Sequence, residues 1–355
     1  MSSFPRPVVD EEFEILEERS FGDRVEIVLG NPKKGDMERA LTKIYESLMR
    51  ADFYSMLRIE DRGLVLYAFK RGQSKERLLV LAALALITLV TVTISSFAFE
   101  KIESSKGGFS WNILAYPIGL LVPLLVHELG HSLAMKIKKV PASLPYLLPA
   151  PPLQLGFLGT FGAVINMRWL PATLKDLAFI ALAGPVSGFL VALPIAYLGI
   201  AQSAVVRAEE VTSGIEIPIV PLIFLVLLST KLEVPNGFVV VLSPLTFATM
   251  IVFFVTFLNL IPVGMLDGGH VVRVLLGERL HKYVGLFIIA LVALTVPLVP
   301  ILSIYLLVLI LIYTLSRGRH PGSSYNLEIR SHTMRVAIAL VYVLLLVLTF
   351  PIPIL

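Results

Sequence analysis

Two regimes of hydrophobic patterning divide the chain near residue 77. Before it, apolar positions alternate or recur at helical spacing among many charges; after it, long apolar runs follow one another. In the first regime, Val25-Glu26-Ile27-Val28-Leu29-Gly30 predicts a strand ending in a turn at Gly30-Asn31-Pro32. Asp36 is a candidate N-cap for a helix to about Ala51, with Leu41, Ile44, Tyr45 and Leu48 on one face. Residues 55–60 and 64–69, joined by Asp61-Arg62-Gly63, predict a hairpin. Residues 1–77 therefore read as a small α+β head domain. They hold no catalytic constellation, and a regulatory or substrate-presenting role is expected.

The second regime predicts seven membrane spans, at about 78–98, 113–136, 177–199, 243–263, 282–298, 300–316 and 335–351. Pro297 and Pro300 predict a tight turn between the fifth and sixth. Lys70, Arg71, Lys75 and Arg77 precede the first span, and Lys136, Lys138 and Lys139 close the second. Arg273, Arg279 and Lys282 follow the fourth, and Arg317, Arg319, Arg330 and Arg335 separate the sixth from the seventh. By the positive-inside rule the head is cytosolic and the C-terminus extracytoplasmic. The domains expected are 1–77 (head), 78–110 (first span and outer loop), 111–280 (the chemical core) and 281–355 (three C-terminal spans). Residues 217–229 are apolar but short and hold Pro218 and Pro221, so they are expected to be interfacial or re-entrant. Residues 141–171 carry six prolines and the run Gly159-Thr160-Phe161-Gly162-Ala163-Val164-Ile165. That is too broken for a helix and too apolar for a solvated loop; such backbone survives at membrane depth only where it is buried or lines a cavity. A re-entrant segment flanking the working site is expected.

Composition sharpens this picture. Of 355 residues, 56% are hydrophobic and 16% charged, far from the roughly 25% charged of an ordinary soluble protein. Of the 56 charged residues, 29 lie in residues 1–77. There is no cysteine, which excludes disulfides, thiolate nucleophiles and cysteine ligands. The net charge of +4 is weak and its basic residues sit at span ends, so topology accounts for them and no nucleic-acid partner is expected. The first thirty residues hold Asp10, Glu11, Glu12 and Glu14 and no apolar h-region, so neither a cleavable signal nor a transit leader is expected. The expected location is a cell membrane.

Within the predicted spans and the stretch just after the fourth, two acidic residues occur, Glu128 and Asp267. An ionisable group at membrane depth is a functional-site candidate by default. Glu128 stands in His127-Glu128-Leu129-Gly130-His131, the H-E-x-x-H pattern, whose i, i+4 histidines share one helix face and can hold one zinc ion. Glu128 is then placed to act as general base on water. Three unpaired polar side chains in an apolar span would otherwise be costly. A catalytic zinc takes three protein ligands and leaves one position open. With cysteine unavailable, the third must be His, Asp or Glu, and Asp267 lies toward the same membrane face as the histidines.

His127-Glu128-Leu129-Gly130-His131, followed downstream by Asn259-Leu260-Ile261-Pro262-Val263-Gly264-Met265-Leu266-Asp267-Gly268-Gly269-His270, resembles the site-2 protease family of intramembrane zinc metalloproteases. Ala183-Gly184-Pro185-Val186-Ser187-Gly188 resembles the small-residue motif of that family's middle helix. The resemblance covers about residues 110–275 and is nearest to the archaeal, cyanobacterial and chloroplast branch; no PDZ-like insertion is apparent. It implies a three-helix catalytic core; with the hydropathy reading, the fold expected is a polytopic α-helical membrane protein of about seven spans around that core, with the cytosolic α+β head and the last three spans outside it. It implies one zinc ion per chain on His127, His131 and Asp267, with Glu128 as catalytic base. It places Asn259 against the substrate backbone or developing oxyanion, or alternatively in a helix–helix hydrogen bond. His270, one turn past Asp267, is either a partner behind that ligand or structural. His281, His320 and His332 receive no role. Gly184-Pro185 and Ser187-Gly188 are expected to allow close helix packing, and Gly268-Gly269 to let the chain turn near the metal.

The expected reaction is cleavage of a transmembrane segment of a membrane-protein substrate within the bilayer, in regulated intramembrane proteolysis. The segment Gly159, Thr160, Phe161 and Gly162 is a candidate for pairing with an unwound substrate as an added strand, and a cytosolic regulator of the head is a candidate partner. The alternative is a zinc transporter or a non-catalytic zinc-binding regulator. A transporter would line a path of ionisable groups across the bilayer, and this chain has one cluster.

Overall fold

The computed structural model describes residues 4–72, 76–99, 111–211, 217–297 and 302–354. In the head, the Asp36 side chain accepts a hydrogen bond from the Arg39 backbone N–H and starts the helix Met37–Arg50. Leu41, Ile44, Tyr45 and Leu48 are fully buried along one stripe, as their spacing predicts. They face an antiparallel sheet of β1 (Phe13–Phe21), β2 (Arg24–Pro32), β3 (Phe53–Glu60) and β4 (Gly63–Lys70), in the order β1-β2-β4-β3. Phe13, Ile27 and Leu66 supply the sheet side of that core. The predicted hairpin is β3–β4, closed where Glu60 pairs with Gly63. β2 does not stop at Gly30: it continues to Pro32, which lies opposite Phe13 across an irregular register. The helix Arg6–Glu12 and β1 were not anticipated, because charges crowd both and blur their periodicity.

Among the described residues, four helices are long and apolar enough to cross a membrane: Leu78–Phe99, Ala115–Ile137, Leu174–Ala201 and His332–Thr349. The other expected spans differ in form. Pro244–Leu260 is helical over 17 residues, and Leu302–Leu315 over 14. The expected span at 282–298 is the second half of a longer helix, Asp267–Thr295, interrupted at Gly277, whose φ of 81° is left-handed. The expected turn between Pro297 and Pro300 and the outer loop before Trp111 fall largely outside the described residues, as does Lys75. Residues 217–229 form a short strand, Ile219–Pro221, and a helix, Leu222–Ser229; the strand pairs with Pro351–Pro353. Helices Ala115–Ile137, Leu174–Ala201 and Pro244–Leu260 share one apolar cluster, with Leu120, Ala181 and Phe253 among its buried members.

The proline-rich segment is more ordered than its composition suggests. β5 (Tyr146–Pro149) pairs with β6 (Thr160–Val164), Leu148 opposite Gly162. The prolines sit at its ends and in the connecting loop, where no ladder N–H is needed. The loop between these strands is held deep along the first long helix. Thr91 Oγ1 donates to Gly159 O at 2.6 Å, the Leu153 N–H donates to Ser95 Oγ at 3.0 Å, and Gln154 donates to Ile94 O at 2.8 Å. Ser95 lies seventeen residues beyond Leu78, about 25 Å along a helix. Residues 146–164 are therefore a hairpin rather than irregular backbone.

The head is fastened to the loops at one end of the helices. Tyr45 Oη donates to Leu170 O at 2.9 Å, and Trp169 Nε1 donates to Ser55 O at 3.0 Å. Trp169 also stacks on Tyr54 with centroids 4.5 Å apart. From the loop before the last long helix, Ser324 O accepts from the Leu57 N–H at 3.0 Å, and the Tyr325 hydroxyl meets Ser55 Oγ at 2.8 Å. Lys139 pairs with Glu46. The loops expected on the head side of the bilayer, around 136–139 and 317–330, therefore do lie at the head. The paired strands near Pro221 and Pro353 lie at the other end.

Candidate metal centre

The helix Ala115–Ile137 stacks His127 and His131 on one face, with ring centroids 4.8 Å apart. Their Nε2 atoms approach to 3.1 Å. Asp267, the first residue of its own helix, brings Oδ2 to 3.4 Å from each of them. A carboxylate at a helix N-terminus is favoured by the helix dipole. His131 Nδ1 donates to Ile180 O at 2.8 Å, which commits the proton to Nδ1 and leaves the Nε2 lone pair directed at the cluster. His127, His131 and Asp267 form, among the described residues, the group whose ligand atoms could hold a metal ion. A tetrahedral ion with bonds of about 2.0–2.1 Å sets its ligand atoms about 3.3 Å apart, and the three observed separations bracket that value. The donor set fits a borderline cation that takes nitrogen and oxygen ligands.

Close packing makes this geometry attainable. Where the histidine helix crosses Leu174–Ala201, a Cβ on Gly184 would lie 2.1 Å from His131 Nε2, and one on Gly188 would lie 2.8 Å from His127 Cβ. Ser187 Oγ donates to Val126 O at 3.0 Å and ties the same crossing. These small residues are where the sequence expects close packing, and what they pack against is the two histidines themselves. Gly268 and Gly269 have ordinary helical backbone. A Cβ on Gly268 would fall 1.9 Å from Leu260 O, so glycine is needed there for close approach rather than for turning.

Glu128 is buried beside the two histidines on the same helix. A cavity of about 20 Å³, enough for one water, abuts His127 and is lined by Leu120, Pro123, Gly188, Val252 and Thr256. Asn259 lies half-buried at the end of Pro244–Leu260 and makes no side-chain hydrogen bond among the described residues. Gly159 contacts the first long helix just before β6, and Thr160, Phe161 and Gly162 lie in β6, which packs against the histidine helix. The β5–β6 sheet has two strands, so the outer edge of β6 has no strand partner among the described residues. Phe161 is exposed on it.

His270 does not turn to Asp267. Its Nδ1 lies 2.6 Å from His320 Nε2, and the His281 ring lies 5.4 Å from that of His320. Arg273 donates to His320 O at 3.4 Å. Two of the three histidines given no role by sequence thus gather at His270: His281 from the same helix as Asp267, and His320 from the loop that grips the head. No spacing in the sequence announces a contact across fifty residues.

The sequence profile of peptidase family M50 matches residues 115–301. Among curated proteins, the chain is 31% identical over 179 residues to a protein of Arabidopsis thaliana named probable zinc metalloprotease EGY1, chloroplastic, covering 49% of this chain and 31% of that one. It is 29% identical over 177 residues to the Oryza sativa subsp. japonica protein of the same name, covering 48% and 29%. It is 26% identical over 266 residues to probable zinc metalloprotease EGY2, chloroplastic, of Oryza sativa subsp. indica, covering 72% and 45%. The chain spans between about three-tenths and less than half of the length of these relatives. No solved structure matches it.

Proposed function

The chain belongs to peptidase family M50, the site-2 protease family, and from that premise we propose that it is a zinc-dependent endopeptidase cleaving membrane-protein substrates within the bilayer. The observation that carries the reading is the convergence of His127 Nε2, His131 Nε2 and Asp267 Oδ2 from distant helices to within 3.4 Å of one another. These residues would hold one zinc ion per chain; zinc is the metal in the names of the chloroplast relatives. Zinc, when bound, supplies Lewis acidity that polarises a carbonyl and lowers the pKa of water.

The remaining work falls to the chain's own groups. Glu128, fixed on the histidine helix, takes a proton from the attacking water and returns it to the leaving amine. The Asn259 amide, free of protein partners among the described residues, donates to the substrate backbone or the developing oxyanion. A helix hides its scissile carbonyl in hydrogen bonds, so the substrate segment must unwind. The open edge of β6, at Thr160, Phe161 and Gly162 with Gly159 just before it, offers strand pairing to the unwound stretch. Helices Ala115–Ile137, Leu174–Ala201 and Pro244–Leu260 form the catalytic core, set in a body of about seven spans. The head faces the cytosol of a cell membrane, where it filters substrates or receives a regulator, and the activity serves regulated intramembrane proteolysis. Grouping of the basic loops at the head end supports that orientation.

The test is Glu128→Gln. The variant keeps its zinc and loses about 10²–10⁴-fold in cleavage of a single-span substrate. Wild-type cleavage by a zinc-loaded Glu128→Gln protein would overturn the assignment.

A further inference from the structure

Outside the metal centre, one concavity gathers charge from three separate parts of the chain. A groove of about 320 Å³ opens between the head and the end of the histidine helix. Glu46, Met49 and Arg50 of the head helix line it, with Arg71 just past β4 and Lys136 and Lys139 at the end of Ala115–Ile137. Four cations thus surround one carboxylate. That carboxylate is already shared: the same oxygen of Glu46 receives Lys139 and, at 3.8 Å, Arg50. Arg71 faces the exposed Asp52 at 3.9 Å and the Tyr54 ring at 6.0 Å, and Lys136 makes no ion pair among the described residues. Cations nearby are matched one for one. Lys138 holds Asp176 at 2.7 Å, and Arg168 holds Glu76.

The groove's level decides what would fill it. The first long helix begins at Leu78, the histidine helix ends at Ile137 and the next begins at Leu174, all at the head end. The bilayer surface therefore lies there, and Lys136 and Lys139 stand at headgroup depth. Val140, Pro141 and Met49 add an apolar side to the groove, which suits a glycerol backbone more than free ions. We propose that this groove binds the phosphate of an anionic glycerophospholipid. Arg50 and Arg71 reach that phosphate from the head, and Lys136 and Lys139 reach it from the helix that carries His127 and His131. The lipid then bridges the head to the histidine helix five residues beyond His131. This proposal does not depend on the catalytic reading.

The full chain in phosphatidylcholine nanodiscs is titrated with short-chain phosphatidylglycerol, with short-chain phosphatidylcholine and with inorganic phosphate. Each basic side chain near a membrane surface contributes about fivefold to binding an anionic lipid. The triple variant Arg50→Gln/Lys136→Gln/Lys139→Gln is expected to bind phosphatidylglycerol on the order of a hundredfold more weakly than wild type. A charge-matched triple, Arg279→Gln/Lys282→Gln/Arg335→Gln, is expected to stay near wild type. Equal loss in both triples, or loss in neither, overturns the site. Displacement of phosphatidylglycerol by equimolar inorganic phosphate overturns the lipid as ligand. Glu46→Gln, which removes the one carboxylate, is expected to tighten binding about fivefold; weakening would overturn the proposal even if the triple variant misfolds.

Discussion

Gly184→Ala adds one methyl group in the narrowest part of the metal centre. Its Cβ would stand 2.1 Å from His131 Nε2, 2.4 Å from Cδ2 and 2.6 Å from Cε1. Ordinary carbon–nitrogen contact needs about 3.5 Å, so the ring tip must retreat by more than an ångström. It has little freedom to do so: Nδ1 is bound to Ile180 O on the same helix as Gly184, and the ring is largely buried. A zinc site tolerates ligand displacements of about 0.2 Å. Loss of an orienting contact behind a ligand typically costs 10–100-fold in metal affinity, and a forced ligand displacement should reach at least that range. Zinc competition against a chromophoric chelator measures it directly, with circular dichroism as the check on folding. Gly188→Ala is the internal control. Its Cβ meets His127 Cβ at 2.8 Å, at the base of the side chain rather than at the ligand atom. It should cost stability through overpacking of about 1–3 kcal/mol and less zinc affinity than Gly184→Ala. A folded Gly184→Ala protein with wild-type zinc affinity would refute the claim that this glycine makes room for a ligand.

Two further outcomes concern the head. Glu12 is buried and accepts from Lys43 at 2.7 Å, and that hydrogen bond holds its carboxyl below the ordinary value of 4.5. A depressed native pKa adds stability above the unfolded value and loses it as pH falls through the native one. Hydrogen-exchange protection in residues 13–70 of the full chain, taken relative to the intrinsic rate at each pH, should therefore be steady above about pH 5 and fall below it; Glu12→Gln should flatten that acid-side slope, and an unchanged slope would contradict the assignment. Trp169→Ala removes the stack on Tyr54 and the bond to Ser55 O, together worth about 1–3 kcal/mol. Faster exchange confined to β3 and the loop around Ser324 is expected; unchanged exchange there would show that the head is held by other contacts.

How far the sequence could be read depended on how local each signal was. The H-E-x-x-H pattern is contained in one helical turn, and Asp267 stood out because acids at membrane depth are rare, so the three residues that the structure brings together were legible. The head helix was legible for the same reason: cap, stripe and end all lie within fifteen residues. What was illegible is non-local. That Gly184 faces the tip of His131, or that His320 meets His270, follows from helix crossings that no periodicity encodes. The start of the helix at Asp267 was hidden by Gly268-Gly269, which disfavour a helix on propensity but are required by the approach of Leu260 O. The hairpin of β5 and β6 was masked by prolines at its margins, and β1 by its run of glutamates.

The central claim is that His127, His131 and Asp267 hold one zinc ion, and metal content tests it without knowledge of any substrate. Purified wild type should contain about one zinc per chain, and Asp267→Ala, removing one of three ligands, should lose most of it. Equal zinc in both proteins, or a well-folded wild type that binds none when zinc is supplied, would contradict that claim.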